Sequence, residues 1–572
     1  MRNYRKETAE LLAPEVPLSA QEVEALLEVP PKDDMGDLAF PCFRLAKELR
    51  KAPPAIAGEL AEALADKLPE WVKEVKALGP YLNIFFEPSA YAVDVLSDII
   101  EKGDTYGCAD IGEGKRIVID YSSPNIAKPF HVGHAFSTLL GQAIGNLYGT
   151  LGFEPVRLNH LGDYGTQFGK LISAWKRWGD REALEENAIE ELTRVYVKFH
   201  QEAEAHPELE DEARDHFRRL EQGEAMETEL WQEFRDLSLK EFNRIYDRLG
   251  VHFDNYNGES FYSDKIPAVV DMLKEKGLLE LSEGAQVVDL SAYDLNPCLI
   301  LKSDGTTTYA SRDIAAIYYR DKTWDFFRNI YVVGLPQDNH FKQVFAVMER
   351  AGFDHPERNV FVGFGTVKFA DGDFSTRSGN IIKLDELLNK SVAKTREIIK
   401  QNNPDMSEAE LDATAEAVGI AAVEYTYLKN GRERDIFFDW DEMLDFEGDT
   451  APYLLYTYTR AGSILRKAGD WEPAAIDRYT AMLTDPQEMS LLKIMAGIPA
   501  TVIAAAENRE PSILLREISR LARAFNSYYH DHPILKAEEE DTRIARLILT
   551  KAVQTVIKRG LDICGIPTVE RM

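Results

Sequence analysis

Residues Arg116–His134 read RIVIDYSSPNIAKPFHVGH. The opening RIVIDY is a short β-branched run, the composition of a buried strand. The chain breaks at Ser122–Pro124, a helical pattern runs from about Val132 to Leu151, and Val156–Leu161 forms a second short strand. Strand, loop, helix, strand is the order of a parallel, doubly wound α/β sheet. Such a loop brings the free N–H groups of the helix start, and the positive end of its dipole, to one place that suits a phosphate. His131 and His134 stand at this helix entry and can both point donors at one phosphate chain. Gly133 lets an adenine ring lie close to the backbone, and Lys128 adds a mobile charge. Neither GxGxxG nor GxxxxGK[ST] is present in the turn. HVGH alone is also compatible with a metal pair or two surface histidines.

Further strand candidates for the sheet are Val287–Leu290, Cys298–Lys302, Ile330–Val333 and Val360–Phe364. Between its halves, Glu182–Leu249 is acidic and helical in spacing, and reads as an insertion that braces the sheet domain. Residues 1–110 read as a small α+β unit. Helical spacing covers Ala20–Leu27 and Ile56–Leu68, and Lys76–Phe86 is a strand entered through a Gly-Pro turn. Asp104–Gly114 reads as a linker. The expected boundaries are 1–110, 111–450 with the insertion at about 180–250, and an all-α domain over 451–572.

A chain of 572 residues has room for three or four domains. No apolar run approaches the roughly 18 residues a membrane span needs, and the N-terminus lacks a signal-like apolar core. Cys42, Cys108, Cys298 and Cys564 are scattered, which argues against disulfides and zinc and for the cytoplasm. The net charge of −31 counts against a nucleic-acid partner, since such binders usually carry basic patches, but the distribution matters more than the sum. From Pro452 onward, however, 16 Lys+Arg meet 15 Asp+Glu, so a nucleic-acid contact there is permitted.

HVGH resembles the HIGH motif of class I aminoacyl-tRNA synthetases. The longer string Ser122–His134 is similar to that of arginyl-tRNA synthetases, as are Asn159–Leu171, Tyr309–Asp313, Gln337–His340, Asp439–Arg460 and the terminal PTVERM. The resemblance spans nearly the whole chain. It implies a Rossmann-like catalytic domain with a helical insertion, an N-terminal domain that contacts the tRNA D-arm, and a C-terminal helical anticodon-binding domain. It implies ATP-dependent joining of L-arginine to the 3′ end of its tRNA through arginyl-adenylate, with Mg2+ accompanying ATP, no resident metal site, no membrane or DNA partner, and a monomeric state.

Residue by residue, the resemblance implies that Asn125, Lys128, His131, Gly133 and His134 bind ATP, with Lys128, His131 and His134 acting in catalysis. The family's second phosphate loop, KMSKS, corresponds to Phe374–Asn380, FSTRSGN, which has no lysine. Phe374, Ser375, Thr376 and Arg377 are its expected ATP contacts, and Lys128 is expected to supply the missing charge toward pyrophosphate. A guanidinium needs carboxylates placed for its planar fork. The resemblance points to Glu259 and Asp313 for that end, with Tyr309 beside it, and to Asn125 and Gln337 for the amino-acid end. Tyr81 and Asn83 are expected to touch the D-arm. Tyr453, Tyr458, Arg460 and Tyr528 are expected tRNA contacts, with Tyr456, Tyr529, Arg466, Lys467, Arg520 and Arg523 also available for base stacking or phosphates. Three rivals are a class I synthetase for another amino acid, such as a cysteinyl or class I lysyl type, a catalytically dead homologue that only binds tRNA or a protein partner, and a nucleotidyltransferase sharing the sheet fold, which leaves the C-terminal helical domain unexplained. The first lacks a cysteinyl-type zinc cluster. The second is disfavoured because the phosphate ligands are all present.

Overall fold

The structure, a computed structural model, describes residues 1–353, 355–369, 382–471 and 476–572. The chain forms two compact units. One comprises Met1–Tyr106, Thr457–Pro499 and Glu517–Arg559; the other comprises Gly107–Tyr456, Ala500–Arg516 and Gly560–Met572.

The second unit carries a four-stranded, all-parallel sheet in the order Asn359–Phe364, Arg328–Gly334, Arg116–Asp120, Glu154–Leu158. Ile117, Val118 and Ile119 are fully buried, because a strand covered on both faces needs apolar side chains in both directions. Helix Val132–Thr150 packs Leu139, Leu140, Ala143, Ile144 and Leu147 into this core. The expectation for Val287–Leu290 and Cys298–Lys302 is corrected. These segments belong to a separate antiparallel sheet, Leu279–Ser282, Ala285–Val288 and Cys298–Leu301. Its first hairpin turns at Glu283 and Gly284, both at positive φ, the geometry of a tight two-residue turn rather than a crossover. The insertion consists of helices Arg181–Glu186, Ala188–Ala205, Glu208–Glu221 and Ala225–Arg248.

In the first unit, Tyr81–Phe86 is the central strand between Leu38–Pro41 and Val72–Leu78, antiparallel to both. The single strand expected over Lys76–Phe86 is thus a hairpin that turns at Gly79 and Pro80. Tyr4, Trp71, Phe86 and Tyr91 form an aromatic cluster beside it. Asp104–Gly114 is not a loose linker: Tyr106 is buried, and the amides of Ala109, Gly112 and Gly114 donate to the carbonyls of Thr150, Leu151 and Gly152. After residue 450 the long helices are Ala451–Ala468, Pro486–Asn508, Ser512–Asp531 and Glu540–Ile563. One of them, Pro486–Asn508, is long and apolar enough to cross a membrane by length and composition alone, which corrects the expectation of no such run. Its Lys493 pairs with Asp37 at 2.8 Å.

Candidate active site

The central strand ends at Asp120, at the C-terminal edge where parallel sheets bind ligands. Ser122, Ser123 and Ala127 all take positive φ (69°, 47° and 60°), so three non-glycine residues in six sit in a left-handed conformation. Each costs about 1–2 kcal/mol. Specific bonds hold the loop in this form. The Ser122 amide donates to Ser137 Oγ at 2.9 Å, and the Ala127 amide donates to Ser238 Oγ at 2.9 Å. Ser122 Oγ lies 2.7 Å from Tyr246 Oη. Ser123 Oγ donates to Asp120 at 3.0 Å, and that carboxylate also takes the fully buried Arg320 at 2.6 Å. Ser238 and Tyr246 come from the last insertion helix, so the insertion fixes the loop it braces.

His131 caps helix Val132–Thr150. The Gly133 amide donates to His131 Nδ1 at 3.1 Å, and the His131 amide donates to His134 Nδ1 at 3.3 Å. The rings stack with centroids 3.7 Å apart. An Nδ1 that accepts a backbone N–H must leave the proton of a neutral ring on Nε2. Burial holds His131 below its usual range and pushes His134 down to about 3, with Lys128 adding to both effects. Both rings are therefore neutral near pH 7, and each keeps an Nε2–H to donate to a ligand. Lys128 is half-buried, with Nζ 5.9 Å from the ring centroid of Tyr196 on the insertion helix Ala188–Ala205.

Phe374, Ser375, Thr376 and Arg377 lie outside the described residues. The chain returns at 382 alongside the histidine turn. The Val132 amide donates to the Ile382 carbonyl at 3.2 Å, the Leu384 amide donates to the Phe130 carbonyl at 2.9 Å, and His131 bridges Lys383.

Asn125 is half-buried and bridges Gly162; the Ile126 amide donates to Gly162 and the Gly162 amide to Pro124. Glu259 opens the short helix Glu259–Tyr262. Burial pushes its carboxyl up to about 7; Arg312 opposes this, while Asp313 and Asp163 reinforce it. Arg312 faces Glu259 at 3.7 Å and lies 5.4 Å from the Tyr309 ring centroid. Tyr309 is 69% exposed at the start of helix Tyr309–Trp324. One turn further along, Asp313 accepts His340 Nε2 at 2.6 Å. Gln337 is exposed just past strand Arg328–Gly334. Glu259, Arg312, Asp313 and Tyr309 thus form one neighbourhood. Sequence reasoning assigned no role to Gly162, Asp163, Arg312 or His340. All four fall within or beside motifs quoted for the family resemblance, which was the available signal.

Three expected tRNA contacts turn inward. Asn83 is 2% exposed on the central strand of its sheet and spends its Nδ2 on the Met35 carbonyl. Tyr458 and Tyr528 are buried, and Tyr528 Oη donates to Glu488 at 3.0 Å. The Tyr458 and Tyr528 rings thus lie on the packed faces of their helices, with no ring face open to a base. Tyr81 is half-buried, 5.5 Å edge-on from the exposed Phe43 ring. Arg460 is half-buried, reaches Asn526 Oδ1 at 2.6 Å, and lies 5.3 Å from the centroid of Tyr529, which is 40% exposed. Tyr453 is half-buried and Tyr456 is exposed.

Three family descriptions match this chain. "Arginyl tRNA synthetase N terminal domain" covers residues 3–86, "tRNA synthetases class I (R), catalytic domain" covers 95–440, and "DALR anticodon binding domain" covers 454–572. The chain is 50% identical over 570 residues to an arginine–tRNA ligase of Clostridium perfringens and 48% identical over 571 residues to that of Clostridium acetobutylicum, each over 100% of both chains. Among solved structures, the arginyl-tRNA synthetase of Thermus thermophilus superposes with a TM-score of 0.82 at 27% identity, covering 100% of both chains. That of Plasmodium falciparum gives 0.78 at 22% identity, covering 99% of this chain and 98% of that one, and supports the fold. By these full-length matches and by the site just described, the chain belongs to the arginyl-tRNA synthetase family of class I synthetases.

Proposed function

We propose that this chain is an ATP-dependent arginine–tRNA ligase, and that the loop Ser122–His134 is where its two small substrates meet. The chain charges tRNA with arginine, as the names of its full-length relatives state of those proteins. The observation that carries the site reading is the pair of neutral, stacked histidines whose Nδ1 atoms are tied to backbone. Two such donors at a helix start, with Gly133 between them, suit a nucleotide's phosphates and base.

In the first step the arginine carboxylate attacks the α-phosphorus of ATP, the bond to pyrophosphate breaks, and arginyl-adenylate forms. His131 and His134 donate to the phosphates through Nε2. Lys128 meets charge developing on pyrophosphate, aided by Arg377 and its loop neighbours. Positioning and charge, rather than covalent participation, are what the protein supplies. In the second step a ribose hydroxyl of the tRNA 3′ end, the 2′-OH by class, attacks the adenylate carbonyl and AMP leaves. Mg2+ would accompany ATP, held mostly by the phosphates of the nucleotide. Glu259 and Asp313 take the substrate guanidinium, with Tyr309 over it, and Asn125 and Gln337 address the amino-acid end. Tyr81, Tyr453, Tyr456, Arg460 and Tyr529 are the proposed tRNA contacts. The scattered cysteines, with no short framework, suit the cytoplasm.

The test is arginine-dependent ATP–pyrophosphate exchange with and without tRNA. Lys128→Ala is expected to slow exchange roughly a hundredfold or more while leaving the fold intact. An unchanged rate would remove Lys128 from the reaction, and exchange driven by lysine but not arginine would overturn the specificity.

A further inference from the structure

The turn that presents Glu259 has an unusual anchor. Asp163 is 0% exposed, yet its carboxylate is almost fully used. Oδ1 accepts the Ser260 amide at 2.9 Å, and Oδ2 accepts Ser260 Oγ at 2.8 Å and Arg235 Nε at 3.2 Å. The Asp163 carbonyl accepts Trp231 Nε1 at 2.7 Å. On the other side of the turn, the Glu259 amide donates to the Leu161 carbonyl at 3.0 Å. Arg235 also donates to the Tyr256 carbonyl at 3.1 Å, just before the turn. Gly258 lies so close that a β-carbon there would sit 2.5 Å from Asp163 Oδ1. A side chain at 258 would therefore push the carboxylate off the turn.

These contacts do more than stabilise a surface loop. A buried carboxylate with no partner costs far more than its bonds return, so it is retained where its partners are all in place. Here the partners are the residue next to Glu259 and a guanidinium from the last insertion helix, Ala225–Arg248. That same helix supplies Ser238 and Tyr246 to the Ser122–Ala127 loop. One helix thereby registers the loop proposed to bind ATP against the turn proposed to grip arginine. Arg235 and Trp231 lie on its inner face, four residues apart, and both reach Asp163.

We propose that Asp163, held by Arg235, is the positioning residue that fixes Glu259 for the substrate guanidinium, so that the helical insertion sets arginine selectivity without touching arginine. The proposal rests on Glu259 being an arginine ligand. A planar guanidinium requires its carboxylate to be placed within a few tenths of an ångström, which is why a fixed turn matters more here than for a point-charge ammonium.

The experiment is steady-state exchange on the full-length protein with tRNA, comparing Asp163→Asn, Ser260→Ala, Arg235→Met, Arg235→Lys and Glu259→Gln. Asp163→Asn and Arg235→Met are expected to raise KM for arginine roughly ten- to a hundredfold, with KM for ATP little changed and kcat falling less. Ser260→Ala is expected to give a smaller rise in the same constant, and Arg235→Lys to recover part of the loss of Arg235→Met. Folding is checked by circular dichroism and thermal melting. If Asp163→Asn fails to fold, Arg235→Met and Ser260→Ala carry the test. Folded variants with an unchanged arginine KM, beside a Glu259→Gln that is impaired, would overturn the positioning role alone. Equal losses for arginine and ATP would reduce Asp163 to a structural residue and also overturn it. An unimpaired Glu259→Gln would overturn the reading of Glu259 itself, and the proposal with it.

Discussion

The Oδ1 of Asn125 lies 2.2 Å from where a β-carbon on residue 162 would stand. Gly162 is thus the floor on which Asn125 rests. Gly162→Ala should displace Asn125 and lower arginine-dependent exchange about tenfold or more, since small misplacements of a positioning group are costly. Pyrophosphate exchange read beside a melting curve checks this. Wild-type exchange from a folded variant would mean that Asn125 does not orient substrate.

Arginine binding should depend on pH through Glu259. Burial pushes this carboxyl up to about 7, so below that pH the unliganded site holds a proton. A bound guanidinium favours the carboxylate, and binding must then expel the proton. KM for arginine is expected to rise by up to about tenfold per unit as pH falls below 7, and to level off above it. A Glu259→Gln variant should lose this slope. The measurement is KM for arginine between pH 5.5 and 8.5 with tRNA saturating.

Glu424, on helix Glu408–Leu428, should set a pH dependence of stability. Its side chain is 1% exposed, neither carboxyl oxygen has a hydrogen-bond partner, and burial raises its pKa well above the usual value. The folded state therefore keeps a proton that the unfolded chain releases above about pH 4.3. The sign follows: stability is retained below that pH and declines as pH rises toward the raised folded value. Glu424→Met is expected to stabilise at both pH values, because the unpartnered carboxyl is costly even when protonated, and by about 1–3 kcal/mol more at pH 8 than at pH 4. Denaturant melts at the two pH values check it; an equal gain at both would rule out the proton as the cause.

Tyr529 offers an exposed ring backed by Arg460, which Asn526 holds in place. Tyr529→Ala should weaken tRNA binding by about 1–3 kcal/mol, the value of stacking one base. Tyr528→Ala should instead lower the melting temperature, because that ring is fully buried. Filter binding separates the two. Intact affinity in a folded Tyr529→Ala would remove this ring from the interface.

The strand Arg116–Asp120, the helix after HVGH and the insertion were legible in sequence, because periodicity reports which faces are buried. The antiparallel sheet at 279–301 was misread, because a short apolar run does not say whether its neighbour is parallel or antiparallel. The burial of Asn83, Tyr458 and Tyr528 was not legible for a related reason: a residue type suited to RNA is also suited to a core, and only packing decides between them.

By itself, then, the sequence determined the family, the sheet and the segments that gather at its C-terminal edge, because local pattern and long ordered motifs carry that information. Tertiary structure decided the rest. It tied both histidine Nδ1 atoms to backbone and so fixed which nitrogen can donate. It paired Asp313 with His340 and seated Glu259 on Asp163, joining residues 27 and 97 or so positions apart. Such pairings depend on how buried charges share partners in three dimensions, and no spacing along the chain records that.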